Sequence, residues 1–246
     1  DATFQKLEGK KLSMQKNMVV AGLVALKAVG GDVTVIEKYT AKLIEVNLEL
    51  KKLFAEHKKT PTQEANWTTM EHLKTITKGL LKMGINQNSL IASLYTFQPP
   101  VRLDYYDMQI VNKKHVQQPD KNYLVIYNRD KKVFVFKDYK TKDMFGEVEI
   151  PVNKKINSII NKFLKLNPDR KYLLEKNNSG TPLTRNNLGK IIPTLFASSG
   201  KTITLNIIRH IVASEAVDIV AINNAKELAG KMLHGSSMQL EYAKHD

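Results

Sequence analysis

The residues best suited to chemistry crowd the C-terminal end of the chain. Leu205-Asn-Ile-Ile-Arg209-His210 reads as part of a helix with Leu205, Ile208 and Val212 as its apolar stripe. Asn206 and Arg209, three apart, share the adjoining face. His234 follows in Lys231-Met-Leu-His234-Gly-Ser-Ser, and Tyr242 in Leu240-Glu-Tyr242-Ala-Lys244. Arginine offers a rigid fork of donors that matches phosphate. Histidine exchanges a proton near neutral pH, and a tyrosine oxygen is a nucleophile once it loses its proton. An arginine, a histidine and a tyrosine in a basic chain point to a phosphate site.

Charge and composition agree with that reading. The chain has 246 residues, 38 Lys+Arg against 24 Asp+Glu, and a formal net charge of +14. Such a surplus suits an anionic polymer, most often nucleic acid, although a lysine-rich composition has it by default. Only Arg102, Arg129, Arg170, Arg185 and Arg209 are arginines, so each is a candidate for work lysine cannot do. With no cysteine, disulfides, thiolate zinc sites and a cysteine nucleophile are excluded. None of the six histidines pairs with another at the spacing of a helical metal site. P-loop, GxGxxG and GxSxG motifs are lacking too, which argues against nucleotide-driven, dinucleotide and α/β-hydrolase chemistry. No cofactor or metal is expected. The apolar run Val19–Leu26 is too short to span a bilayer, so no membrane partner is expected either.

The elements that must position these residues form a mainly α fold with a small antiparallel β-meander, an α+β class. Helical patterning covers Met14–Val29, and the stripe Ile36, Tyr39, Leu43, Val46, Leu50 and Leu53 continues it after Gly30-Gly31. The polar segment His57–Thr62 reads as a linker, dividing a helical domain (1–60) from a second domain (61–246). Thr68 with Glu71 reads as a capping box opening a helix to about Lys82. A helix over Asn88–Phe97 should stop at Pro99-Pro100. Tyr123–Tyr127, Val133–Phe136 and Val148–Ile150 read as a three-stranded antiparallel meander. Further helices are expected at Asn153–Leu166, Thr184–Ser198, Leu205–Asp218, Asn223–Leu233 and Met238–Lys244.

From about Asn66 onwards, the order of these boxes resembles the catalytic domain of tyrosine recombinases, the phage-type integrases. In that resemblance the second box is Asn206-x-x-Arg209-His210, the later histidine is His234 and the nucleophile is Tyr242. The first-box arginine is Arg102, in Pro99-Pro100-Val-Arg102-Leu-Asp. The hairpin lysine is Lys140, in Tyr139-Lys140-Thr141 before Glu149-Ile150-Pro151, with Lys142 and Lys137 as alternatives. The Pro-Pro-x-Arg segment and the lysine excess look most like integrases of virophages and large DNA viruses. Such an enzyme works inside the cell, in the nucleus or cytoplasm, wherever its target DNA lies.

The resemblance implies site-specific cutting and rejoining of double-stranded DNA through a 3′-phosphotyrosyl link, in a homotetramer on paired sites. Arg102 and Arg209 would clamp the phosphate oxygens, Lys140 would protonate the leaving 5′-oxygen, and His234 would assist. His210 would support its helix. Residues 1–60 would be a DNA-clamping domain, shorter than usual; only Ala243–Asp246 follows Tyr242, so either the C-terminal exchange element is absent or the sequence is a piece of a longer chain. Departures are plain. Asn206 stands where the family has His or Lys, and can donate to phosphate but not exchange a proton. Tyr105 stands where an acid is usual, with Asp104 one earlier. A type IB topoisomerase-like enzyme and a non-catalytic DNA-binding protein with a decayed site are the alternative readings.

Overall fold

The computed structural model describes residues 2–55, 58–113, 118–177, 179–217, 228 and 230–232. His234 and Tyr242 lie outside the described residues, as do the helices expected at Asn223–Leu233, save a few positions, and at Met238–Lys244. Its contacts divide the chain into two units, Asp1–Lys58 and Lys59–Asp246.

The first unit holds α1 (Ala2–Gln5), α2 (Leu12–Ala28) and α3 (Val33–Ala55). The long helices pack through a small core of Leu7, Val19 and Tyr39. Gly22 permits their close approach, because a Cβ there would run into the ring of Tyr39.

The second unit opens with α4 (Pro61–Asn66), where a linker was expected. Thr60 and Gln63 form a reciprocal capping box, and Pro61 takes the first helical position, where its missing N–H costs nothing. A proline in a polar stretch thus starts a helix here. In α5 (Met70–Met83) the cap is Thr69, whose hydroxyl accepts from the His72 amide at 3.2 Å. The cap therefore falls one residue after the expected Thr68, as a single hydroxyl bond rather than a Thr68–Glu71 box. Helix α6 (Gln87–Thr96) is capped by Asn86 and is buried from Ser89 to Thr96, at the centre of the unit.

The sheet follows: β1 (Gln109–Asn112), β2 (Tyr123–Ile126), β3 (Lys132–Phe136) and, after the short helix α7 (Lys142–Phe145), β4 (Val148–Pro151). Strands β2, β3 and β4 make the expected antiparallel meander, pairing Leu124 with Phe134 and Phe134 with Ile150. The expectation of three strands is corrected by β1, which pairs parallel with β2 and makes the sheet four-stranded and mixed. On its other side β1 is held by the 171–173 segment, through Ile110 N to Lys171 O and Leu173 N to Met108 O.

Helix α8 (Lys154–Leu166) is capped by Asn153 and locked to β3 by buried Lys132. The Lys132 ammonium donates to Arg129 O, Asn157 Oδ1 and Asn161 Oδ1 at 2.6–2.8 Å. Burial lowers its pKa, and three acceptors offset the desolvation. Helix α9 (Arg185–Leu195), capped by Thr184, ends two residues after Pro193, and Ala197–Ser199 continues as a 3₁₀ turn rather than as α-helix. Helix α10 (Leu205–Val217) closes the described fold, with the Thr204 hydroxyl accepting from the Ile207 amide. Among the described residues no helix is long and apolar enough to cross a membrane.

Candidate nucleic-acid strand-transfer site

Arg209 on α10 is only 2 % exposed, an unusual place for a guanidinium. Its Nη1 donates to Pro100 O and to Met232 O, both at 2.9 Å. One side chain therefore ties three segments together: α10, the loop that carries Arg102, and the segment that runs on to His234. Both bonds use one nitrogen of the guanidinium, Nη1. Asn206, three residues earlier, is exposed, so this turn of α10 runs from surface to interior. His210 is buried beside Arg209 in sequence and faces the protein.

Arg102 sits half-buried in the loop between α6 and β1. Its neighbours anchor that loop. Val101 and Met108 are fully buried, and the Tyr95 hydroxyl donates to Arg102 O at 3.1 Å. Tyr105 inserts into the core, its ring edge-on to Tyr95, Phe134 and Phe136 at 5.2–5.7 Å between centroids. Tyr105 thus anchors the loop in the core, and the carboxylate beside it is that of Asp104.

Asp104 is completely buried. Its Oδ1 accepts from Arg185 Nη2 at 2.9 Å, and its Oδ2 has no hydrogen-bond partner among the described residues. Burial pushes the Asp104 pKa up, while Arg185, Arg102 and Arg209 pull it down. Three of the five arginines therefore act on one carboxylate, Arg185 by direct contact. Arg185, at the start of α9, also lies over the Tyr106 ring at 5.1 Å. The same burial raises the Tyr95 and Tyr139 hydroxyls, keeping both neutral. The role of Arg185 was signalled only by its being an arginine in a lysine-rich chain.

Lys140 occupies the turn between β3 and α7 and is exposed. It makes no ion pair with a described residue, whereas Lys137 pairs with Glu147 at 3.0 Å and Lys142 with Asp138 at 3.2 Å. Tyr139, buried next to it, donates its hydroxyl to Gly146 O at 2.7 Å, pinning the turn. Gly146 has φ +65° and ψ −148°, a combination open essentially to glycine alone. Buried Asn122 bonds both this turn and Asp104 O, so the Lys140 turn and the Arg102 loop share a neighbour. Among the described residues no group of three or more His, Asp or Glu could hold a metal ion.

No known family model matches the sequence, and no curated protein does. Solved structures do match. XerA recombinase is 12 % identical with a TM-score of 0.53, covering 96 % of this chain and 73 % of its own. XerH site-specific recombinase, bound to its difH substrate before cleavage, is 13 % identical with a TM-score of 0.52, covering 94 % and 67 %. The fold is that of a tyrosine recombinase. The Tn1549 transposon integrase, in complex with transposon right-end DNA, is also similar, at 16 % identity and a TM-score of 0.50 over 98 % of this chain and 83 % of its own. At such identities the recombinase fold is what the likeness shows. The chemistry rests on the side chains.

Proposed function

We propose that this chain is a site-specific DNA recombinase that cuts and rejoins strands through a 3′-phosphotyrosyl intermediate. The observation that carries the reading is the Arg209 guanidinium, which joins the Arg102 loop to the segment leading to His234. Within a recombinase fold, such a link supports a shared phosphate site for the two arginine boxes. In the proposed step the Tyr242 oxygen attacks a backbone phosphorus and the P–O5′ bond breaks. The phenol proton passes to a base, for which His234 is the candidate, and Lys140 gives a proton to the departing 5′-oxygen. Arg102 and Arg209 hold the non-bridging oxygens, where negative charge builds in the transition state. Asn206, exposed on α10, donates to the same phosphate. The link conserves the bond energy, so rejoining is the same step in reverse with a new 5′-hydroxyl.

In the same reading residues 1–60 clamp the opposite face of the duplex. Lys10, Lys11, Lys16, Lys27, Lys38 and Lys42 add sequence-independent, salt-sensitive attraction. The working form is a homotetramer on paired sites, and the lysine-rich composition suits a viral integrase acting on host DNA. A duplex nicked just beyond the cleavage position tests the activity. Cleavage releases a short fragment that diffuses away and strands the protein on DNA. A covalent band on a denaturing gel is expected. Its absence on every duplex, with binding retained, would leave a non-catalytic DNA-binding protein.

A further inference from the structure

We propose that Asn122 is a positioning residue for strand cleavage, setting the Lys140 turn against the Arg102 loop; this rests on the reading of Lys140 as the general acid. Asn122 is 1 % exposed and precedes β2. Its Nδ2 donates to Asp104 O at 3.2 Å and to Asp138 O at 2.9 Å. Its Oδ1 accepts from Lys137 N at 2.9 Å and from Asp138 N at 3.0 Å. A primary amide has two donor hydrogens and two acceptor lone pairs, and here all four are used. The backbone of Asn122 adds a fifth bond, accepting from Gln109 N at 2.9 Å and so including β1.

The two partner segments explain the choice of residue. Asp104 lies two residues after Arg102, and Asp138 two residues before Lys140. The amide is therefore the spacer between a phosphate clamp and a proton donor that belong to distant parts of the chain. Aspartate has the acceptors without the donors. Serine is too short to reach both carbonyls, and alanine leaves four backbone groups unmet. Lys140 itself is exposed, so its aim depends on how its turn is held. A shift of about 1 Å in a reacting group costs on the order of 10²-fold in rate.

The discriminating experiment compares two suicide substrates, one with the natural bridging 5′-oxygen and one with sulfur in its place. A thiolate leaves without a proton, so the sulfur substrate does not need the general acid. Asn122→Ala and Asn122→Asp, with melting temperatures measured alongside, should slow covalent-complex formation on the oxygen substrate by about 10²-fold. On the sulfur substrate both should come within a few-fold of wild type, as Lys140→Ala should. Asn122→Ser, which keeps a hydroxyl and buries no charge, is the second variant should the alanine and aspartate variants melt early, with the same rescue by sulfur expected. Equal slowing on both substrates, or no slowing on either, overturns the proposal. If Lys140→Ala is rescued by sulfur and the Asn122 variants are not, only the positioning role falls. If Lys140→Ala itself is not rescued, the general-acid reading on which it rests falls first.

Discussion

Arg209 and Lys140 are assigned to one reaction yet live in opposite surroundings. The arginine is 2 % exposed and bonded to two backbone carbonyls, so it belongs to the core as much as to the site. The lysine is exposed on a turn and is held only indirectly, by buried Asn122 and Tyr139 on its flanks. The proposed reaction asks different chemistry of each. A clamp gains from a fixed, desolvated fork that needs no reorganisation as charge develops. A proton donor in that reaction must reach the departing oxygen, and an exposed side chain on a pinned turn has that reach. Clamp and fold should therefore fail together, while the acid should fail alone.

The sharpest way to break this contrast is Arg209→Ala. Hydrogen bonds from a charged donor contribute about 1.5–3 kcal/mol each, so losing two should cost roughly 3 kcal/mol or more of stability, together with all covalent-complex formation. Denaturant melts and the nicked-duplex assay read both. A stable but inactive variant would show that Arg209 acts on phosphate without holding the fold. Lys140→Ala should slow cleavage by about 10²–10⁴-fold while changing stability by less than about 0.5 kcal/mol. Lys137→Ala and Lys142→Ala break ion pairs, one half-buried and one exposed, and should leave the rate within a few-fold. A larger loss at either would move the acid along the turn.

Gly146→Ala probes how firmly the lysine turn is held. Forcing a Cβ into that backbone conformation should cost about 1–3 kcal/mol, read from melting, and should lower the cleavage rate more than the DNA affinity. The smallest effect concerns Asp104. Burial raises its pKa, so the folded chain keeps that proton to higher pH than the unfolded chain does. Stability from this group is complete below the ordinary carboxylate range and is lost as pH rises through the raised pKa. Asp104→Asn removes the titration, so variant minus wild-type stability should grow as pH rises through that window. A difference that instead shrank as pH rose would mean that Arg185 holds Asp104 ionised in the folded chain, and a pH-independent one that folding leaves its pKa unchanged.

Much of the fold was legible because its signals are local. The β-branched and aromatic runs at Tyr123–Ile126 and Val133–Phe136 mark their strands, and Asn153 and Thr184 sit at the expected helix starts. Strand β1 was not legible. Gln109–Asn112 has two apolar residues and owes its state to pairing with β2, a non-local effect. Helix α4 was hidden because a proline reads as a breaker unless its place at the first turn is known. In the site, the types of Arg102 and Arg209 stood out against a lysine background, and the structure brings the Arg102 loop to Arg209. Asn122 carried no signal, and the pairing of Asp104 with Arg185 was not legible although each residue stood out by type, since an amide or ion pair takes its meaning from what surrounds it.

The central claim is that a tyrosine of this chain becomes bonded to DNA under the arginine clamp. The most direct measurement traps the protein on a nicked duplex, digests the adduct and locates the nucleotide-bearing peptide by mass spectrometry. The account predicts the adduct on Tyr242, and for Tyr242→Phe normal DNA binding with no adduct. An adduct on another tyrosine, or one that survives in Tyr242→Phe, would contradict it.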